Sequence, residues 1–389
     1  MKNRTKAIHL DYQRQDPYGA LNMPVYNTAA YEFENTDVMA DSFCGRNDLP
    51  DYSRVTNPTV TYYERKVKSI TGAENVFAFS SGMAAISGVL LSLASAGKNI
   101  VTSNHLFGNT WLLITKSLGR FGVESRLCDL TDSAETASWI DASTCCVYVE
   151  IISNPLMEVA DLRALADVAH KAGIPLVADT TMIPFTEFSA RELGVDIEIV
   201  SSTKYISGGG TSIGGLVIDY GVEGFAGTMK EVLLNFGAYM TPQVAYMQTL
   251  GLENLDVRYK AQCATAQDIA VRLRTLPQVV GVNYLGLEDN PYHDLSVSQF
   301  GHTFGAMLTF DLESEQACYD FLNRLRLVFR ATNLFDNRTL AIHPYSTIFG
   351  TLTKEERARL DINPASIRLS IGLEDADDIF DDLKQAIQG

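Results

Sequence analysis

The feature that most constrains the fold of this chain is an alternation, from about residue 74 onward, of short β-branched apolar runs with segments of helical periodicity. Strands are expected at 75–79, 99–102, 145–150 and 175–179, and helices at 83–93 and 161–173. Strands that alternate with helices in this way pair in parallel, because each crossover helix packs back onto the sheet. The pattern therefore predicts an α/β fold with a mostly parallel sheet flanked by helices.

The two ends of the chain differ from this pattern. Residues 1–47 have little sustained periodicity and are expected to form an N-terminal arm that wraps a neighbouring subunit. Near residue 245 the pattern changes, and a long helical stretch from 248 to about 276 precedes isolated strand-like segments. At 389 residues the chain exceeds the usual size of one domain. We expect the arm at 1–47, a larger domain at 48–245 and a smaller C-terminal α+β domain at 246–389.

The composition excludes several classes of protein. Lysine and arginine number 31 against 47 acidic residues, and a net charge of -16 repels nucleic acid. No stretch reaches membrane-spanning length and the N-terminus has no apolar signal region, so we expect a cytoplasmic protein without a membrane partner. The six cysteines have no C-x-x-C spacing. Reduced structural thiols are therefore expected, and no metal site is predicted.

The segment most informative about chemistry is the run S-S-T-K-Y at 201–205, which ends a short apolar stretch and precedes a run of glycines. The amine of Lys204 could form a Schiff base with the aldehyde of pyridoxal phosphate, while Ser201 and Thr203 turn hydroxyls toward the phosphate. Asp179, at the end of a neighbouring predicted strand, could keep the pyridine nitrogen protonated. An isolated match of this kind more often marks a surface lysine, so the interpretation depends on other segments.

Three further segments are weak when each is taken alone. The run S-S-G-M-A-A at 80–85 joins a strand to a helix, where backbone N–H groups bind anions, although a plain tight turn has the same pattern. The run Y-S-R-x-x-N-P-T at 52–59 offers an arginine for phosphate, and E-x-x-x-N-P at 150–155 places an amide at a strand end. Ligands in open α/β sheets bind outside the carboxyl ends of strands, so the strand-end segments are expected to meet in one crevice.

In this order, and together with V-A-D-T-T at 177–181 and R-L-S-I-G-L-E-D at 368–375, these motifs resemble the cystathionine γ-synthase-like, or Cys/Met metabolism, family of pyridoxal phosphate enzymes. The resemblance runs from about residue 20 to the C-terminus. It implies a fold type I transferase, pyridoxal 5'-phosphate as the cofactor, a small amino acid and sulfide as substrates, and a homotetramer of two active dimers.

The resemblance also implies a role for particular residues. Lys204 would be the Schiff-base lysine and the acid/base, Asp179 would pair with the pyridinium nitrogen, and Asn154 would contact the phenolic oxygen of the cofactor. The substrate would be bound by Arg368 and Asn333. The groups implied for the phosphate are Ser201, Thr203, the backbone N–H groups of Gly82 and Met83, and, from a neighbouring protomer, Tyr52 and Arg54.

One departure from the family bears on the reaction. Where most members have a tyrosine stacked over the cofactor ring, this chain has Phe107, which keeps the stacking surface but has no proton to donate. Expulsion of a thiolate benefits from a general acid, whereas expulsion of a carboxylate with a conjugate-acid pKa near ~4 does not. Phe107, like the segment 333–340, also resembles the O-succinylhomoserine sulfhydrylase subgroup. We therefore expect γ-replacement on O-succinyl- or O-acetyl-L-homoserine with sulfide to give homocysteine.

Alternatives remain at this stage. Phe107 could be a neutral stacking variant, in which case methionine γ-lyase or cystathionine γ-synthase activity is possible; outside enzymes, the alternative is a pyridoxal phosphate-binding protein with weak turnover. Further departures stand at Thr180, Phe335, Ile348 and Phe349. The bulky rings of Phe335 and Phe349 are expected to narrow the substrate pocket.

Overall fold

The computed structural model of the chain describes residues 1–9 and 18–389, so residues 10–17 of the expected arm lie outside the described part. The strands in the described part are β1 (Asn75–Phe79), β2 (Asn99–Ser103), β3 (Glu124–Cys128), β4 (Thr144–Glu150), β5 (Leu176–Asp179), β6 (Ile197–Val200), β7 (Gly215–Asp219), β8 (Gly281–Asn283), β9 (Met307–Asp311), β10 (Phe329–Arg330), β11 (Leu340–Ile342) and β12 (Ser366–Ser370). The α-helices there are α1 (Asn3–Ile8), α2 (Thr36–Phe43), α3 (Pro58–Thr71), α4 (Gly82–Leu93), α5 (Gly108–Leu112), α6 (Ser133–Ser138), α7 (Leu162–Lys171), α8 (Phe225–Phe236), α9 (Pro242–Glu253), α10 (Leu255–Leu273), α11 (His293–Phe300), α12 (Glu315–Arg324), α13 (Lys354–Arg359) and α14 (Ala376–Gln388).

The first sheet has seven strands in the order β1-β7-β6-β5-β4-β2-β3. The strands from β6 to β3 in that order are parallel, whereas β7 runs antiparallel to both β1 and β6. Helices α4 and α8 pack on one face of this sheet, and α3 and α7 contribute to the apolar core on the other. The predicted α/β fold with a mostly parallel, helix-flanked sheet is confirmed.

Helix α7 illustrates why the sequence folds as it does. The side chain of Asp161 accepts a hydrogen bond from the backbone N–H of Ala164 and so caps the first turn. Beyond the last turn, Gly173 has a φ of 71°, which glycine adopts without strain. The helix buries Leu162 and Leu165 against the sheet, and the chain turns directly into β5. This turn delivers Asp179 to the carboxyl edge of the sheet.

The second sheet has five strands in the order β10-β11-β12-β9-β8, and all its pairs are antiparallel except β10 with β11. The helical stretch expected from 248 to about 276 is two helices, because Asn254 leaves helical geometry between α9 and α10. One apolar core runs continuously from the first sheet into the second. The proposed boundary at residue 245 falls inside α9 and stays a prediction.

Across residues 1–9 and 18–389, no helix combines the length and the apolar character needed to cross a membrane.

Candidate active site

The carboxyl ends of three adjacent parallel strands form the floor of the site. Strand β4 ends at Glu150 and β5 ends at Asp179, and these two residues are partners in the strand register. Strand β6 ends at Val200, so the run at 201–205 follows directly beside them. The sheet therefore brings Asp179 and Lys204 to one edge, as the strand pattern predicts.

Lys204 is held between the two sheets. Its Nζ donates to Oδ1 of Asn333 at 3.1 Å, and Asn333 lies in the chain just before the C-terminal strands. Burial, together with the charge of Arg368, lowers the pKa of Lys204 to about 8, and the carboxylate of Asp179 opposes both effects. A lysine with this pKa supplies a neutral amine much more readily than an exposed lysine does.

Asp179 is fixed by the residue two positions later. Its Oδ1 accepts a hydrogen bond from the N–H of Thr181 at 2.9 Å, and burial raises its pKa while the amine of Lys204 lowers it. The hydroxyl of Thr181 in turn accepts the N–H of Ser201 at 2.8 Å. Thr181 thus joins the strand end of β5 to the lysine segment, a role that its place in the V-A-D-T-T run did not predict.

Thr180, a departure from the family pattern, has its side chain directed into the buried interior of the sheet. Its hydroxyl donates to Oε1 of Glu198 at 2.5 Å, inside the sheet. Glu198 also accepts the phenol of Tyr220 at 2.6 Å, which satisfies the second oxygen of this buried carboxylate. Thr180 therefore supports the sheet below Asp179.

An anion cradle lies where α4 begins. A Cβ added to Gly82 would come within 2.7 Å of the Cβ of Ser201, and one added to Gly215 within 2.2 Å of the carbonyl oxygen of Ser81. Ser81 caps the helix by accepting the N–H of Ala84 at 3.1 Å. The first-turn N–H groups of a helix have no intrahelical acceptor, so those of Gly82 and Met83 are available to an anion.

Two other predicted phosphate residues have protein partners in the structure. The hydroxyl of Thr203 donates to the carbonyl of Gly214 at 3.1 Å and accepts its N–H at 3.0 Å. Arg54 donates to the carbonyl of Leu234 at 2.7 Å, and its guanidinium lies 5.6 Å from the ring centroid of the exposed Tyr52. Among the described residues, neither Arg54 nor Tyr52 is hydrogen-bonded to the cradle of its own chain.

Arg368 is a buried cation with an unused donor. It is 2% exposed, and burial lowers its pKa. One terminal nitrogen donates to Oδ1 of Asn154 and the other to the carbonyl of Thr332, each at 3.0 Å. Its Nε is buried and has no hydrogen-bond partner in the part of the chain that the structure describes. A guanidinium with an unsatisfied edge suits a carboxylate ligand, and Asn154 helps to hold it in place.

Phe107 lies at the start of α5, on the same side of the sheet as Glu150. Its backbone N–H donates to both carboxyl oxygens of Glu150, at 3.0 and 3.1 Å. Above α5 lies a small apolar cluster of the C-terminal part, which includes Phe349 and packs against Trp111.

Two residues before Phe107, the ring of His105 contacts Glu158 at 2.7 Å and, through its other nitrogen, Asp361 at 3.3 Å.

The expectation that Phe335 and Phe349 narrow an open pocket is wrong in its geometry. The ring of Phe335 is fully buried and stacks on that of Tyr205, with the ring centroids 3.8 Å apart. The ring of Phe349 is 1% exposed within the cluster above α5. Both rings pack into apolar clusters, so they act on the site through the segments they anchor.

Comparison with known proteins gives a consistent result. A model of the Cys/Met metabolism PLP-dependent enzymes matches residues 4–388. The L-methionine gamma-lyase of Pseudomonas putida is 36% identical over 389 residues, which is 99% of this chain and 96% of that protein. The O-succinylhomoserine sulfhydrylase of Pseudomonas aeruginosa is 36% identical over 379 residues, which is 96% of this chain and 93% of that protein.

A solved structure agrees over the whole chain. A Campylobacter jejuni protein designated an O-acetylhomoserine (thiol)-lyase superposes with a TM-score of 0.95 and 32% identity, covering 100% of both chains. That structure carries an N'-pyridoxyl-lysine-5'-monophosphate. The residues of the present site fit this cofactor, because the first-turn N–H groups of α4, the amine of Lys204 and the carboxylate of Asp179 offer groups for its phosphate, aldehyde and ring nitrogen.

Proposed function

The chain belongs to the Cys/Met metabolism family of pyridoxal phosphate-dependent enzymes, and from that premise we propose that it replaces the acyl group of O-succinyl- or O-acetyl-L-homoserine with sulfide, giving homocysteine. Overall similarity does not choose among family activities, since a lyase and a sulfhydrylase are both 36% identical to this chain. The observation that carries the proposal is Phe107, whose backbone is fixed beside the floor of the site and whose ring has no hydroxyl.

The two kinds of leaving group differ in their need for an acid. A thiolate is the anion of a group with a pKa of about 8.5, by analogy with cysteine, and its departure is helped by a proton donor. A succinate or acetate leaves as the anion of a group with a pKa near ~4, and it needs no proton at neutral pH. A site with Phe107 at the stacking position therefore favours acyl-ester substrates over thioethers.

Each residue of the site has a place in this reaction. When bound, pyridoxal phosphate withdraws electrons from the substrate's Cα and so acidifies its proton. The carboxylate of Asp179 would keep the ring nitrogen protonated, and Arg368 would bind the substrate carboxylate with Asn333 beside it. The Nζ of Lys204, with its lowered pKa, would take the Cα proton and then a Cβ proton, so that the acyl group leaves Cγ as a carboxylate. After sulfide forms the new bond at Cγ, the same amine would return protons to Cβ and Cα.

We place the residues Tyr52 and Arg54 in the site of a second copy of the chain. Both are exposed, and in their own chain Arg54 contacts the carbonyl of Leu234. The surrounding segment exposes large apolar side chains, including Leu21 at 91% and Phe43 at 60%. An apolar surface of this kind is typical of an interface. A homotetramer of two active dimers is the assembly we propose, and mass measurement in solution tests it.

Product analysis tests the proposed reaction. The holoenzyme is incubated with O-acetyl- or O-succinyl-L-homoserine and sulfide, and in parallel with methionine or with cysteine as the thiol. We expect homocysteine from at least one ester. Methanethiol and 2-oxobutanoate from methionine would instead support a γ-lyase, and cystathionine a γ-synthase. If neither ester yields homocysteine, the proposal fails.

Phe107→Tyr tests the argument from the leaving group. The added phenol would supply the missing acid, so we expect elimination from methionine to rise about tenfold or more, while replacement on the acyl ester changes little. Phe121→Tyr is the matched control, because it adds the same hydroxyl at an exposed position. No gain in elimination would leave Phe107 with a stacking role alone.

A further inference from the structure

We propose that Glu150 is a positioning residue, which sets where Phe107 lies over the cofactor by accepting its backbone N–H. The proposal rests on the function proposed above in one respect, since it takes Phe107 as the ring that stacks on the cofactor. In the sequence Glu150 is the first residue of the E-x-x-x-N-P pattern, which does not indicate a contact with Phe107.

The geometry is that of a helix cap supplied from outside the helix. Phe107 is the N-cap residue of α5, and its side chain makes no capping hydrogen bond. In a capping box, a glutamate of the helix's own first turn accepts the N–H of the N-cap residue. Here Glu150, the last residue of β4, accepts that N–H with both carboxyl oxygens, at 3.0 and 3.1 Å. The start of α5 is thereby fixed to the sheet.

The same carboxyl group stands beside the carboxylate of Asp179. Glu150 and Asp179 are register partners at the ends of β4 and β5. The hydrogen bonds from Phe107 to Glu150 therefore fix the position of Phe107 relative to Asp179, the residue proposed to pair with the ring nitrogen. A shift of Glu150 would move Phe107 relative to Asp179. The visible circular dichroism of a bound cofactor depends on the position of the ring stacked on it. A change in the distance between Phe107 and Asp179 should therefore change that signal.

The surroundings of Glu150 favour its neutral form. Burial, together with the charge of Asp179, raises the pKa of Glu150 to about 8, against the opposing effect of the N–H of Phe107 and the hydroxyl of Thr110. The phenol of Tyr148, on the same strand, is a further titratable group that interacts with Glu150. At neutral pH the neutral carboxyl therefore predominates, and glutamine reproduces its shape with one acceptor and one donor side.

This makes the conservative variant a sharp test. In Glu150→Gln the carbonyl oxygen still accepts the N–H of Phe107, whereas Glu150→Ala removes the acceptor. The measurement is the visible circular dichroism of bound pyridoxal phosphate, per mole of cofactor bound, together with the dissociation constant of the cofactor. Both are recorded without substrate, so they report on positioning even if the proposed reaction is not the one this enzyme catalyses.

We expect Glu150→Ala to lower the dichroism per bound cofactor at least twofold at pH 7, and Glu150→Gln to keep most of the wild-type signal. The matched control is Glu64, another carboxyl that accepts a backbone N–H, that of Ala78 at 2.8 Å, and whose pKa burial raises to about 7. Its alanine and glutamine variants should leave the signal per bound cofactor unchanged.

Two outcomes would overturn the proposal. A wild-type signal in Glu150→Ala would show that Phe107 is placed without Glu150. An equal loss in the alanine and glutamine variants would show that a retained acceptor is not enough. Should the alanine variant fail to fold, Glu150→Asp serves in its place, because it keeps the carboxyl but withdraws it by one methylene from the N–H of Phe107.

Discussion

The two walls that face Lys204 are built in different ways. On the sheet side, Asp179 and the run at 201–205 follow directly from parallel strands, and Thr181 joins them by donating its N–H to Asp179 and accepting the N–H of Ser201. On the C-terminal side, Asn333 and Arg368 are brought in from more than a hundred residues away along the chain, and a stack of rings anchors the intervening segment. The sheet side thus owes its geometry to adjacent parallel strand ends, whereas the other side combines a strand of the second sheet, which carries Arg368, with a packed segment that carries Asn333.

This difference separates chemistry from selectivity. The groups proposed to hold the cofactor and move protons lie on strand ends, which are among the most rigid positions that a fold offers. Of the groups proposed to bind the substrate, Arg368 lies on β12 of the second sheet, and Asn333 lies on the segment between β10 and β11, where the ring of Phe335 packs on Tyr205. Substitutions on the sheet side should therefore affect rate, whereas substitution of the ring that anchors the segment of Asn333 should first affect stability.

The largest effect is expected on the sheet side, from Lys204→Ala. Loss of the amine removes the group proposed to move the Cα proton, so turnover should fall about 10³-fold or more while the melting midpoint changes little. Lys230→Ala, an exposed lysine of α8, is the control. Partial recovery with an added small amine would assign the loss to proton transfer. Activity within tenfold of wild type would contradict the role given to Lys204.

On the C-terminal side, Phe335 should show the opposite behaviour. Phe335→Ala removes a buried ring stacked on Tyr205, which should cost about 3–5 kcal/mol of unfolding free energy. The backbone φ of Phe335 is 55°, a region that favours glycine. Phe335→Gly should therefore melt above Phe335→Ala, reversing the usual order by about 1 kcal/mol. If alanine proves the more stable of the two, the backbone at this position does not have the left-handed conformation.

The smallest effect is expected where the two sides meet, at His105. Hydrogen bonding to Glu158 is the main reason that the pKa of His105 is raised, and the charges of Glu158 and Asp361 add to it. A raised pKa means that the folded state binds the proton more tightly, so this stabilisation is complete below about pH 6.5 and is lost as the pH rises through the raised value.

His105→Asn should therefore lower the melting midpoint by about 1 °C near pH 6, and the gap should close at higher pH. His302→Asn, at an exposed position, is the control. The readout is the difference between wild type and variant across pH, since other groups titrate in the same range. A gap that stays constant with pH would mean that the charge of His105 makes no contribution.

Much of the sheet side could be predicted from local sequence. Strands at β1, β4 and β5, the capped helix α7 and the meeting of Asp179 with Lys204 follow from apolar periodicity and from the rule that parallel strands present their carboxyl ends together. The family and its cofactor followed from several short motifs in order. Each of these signals spans fewer than about fifteen residues, which is the range over which pattern reasoning works.

The remainder depends on contacts that local patterns do not encode. No local sequence pattern near Phe335 predicts that its ring stacks on Tyr205. The bulk of the residue alone therefore suggested that it narrows the substrate pocket. The part played by Glu150 arises because α5 happens to begin beside the end of β4. The break at Asn254 went unpredicted because both flanking segments are good helices. Packing across the chain decided all three.

The hydrogen bond from Lys204 to Asn333 has a consequence for how such an enzyme can be remodelled. A chimera that joins the sheet of this chain to the C-terminal part of a relative would replace the partners of Lys204, Asn154 and His105 in a single exchange. Crossovers near residue 245 therefore transplant selectivity only if these three pairings are kept. Grafting the partner residues together with the segment is the practical route to a new specificity.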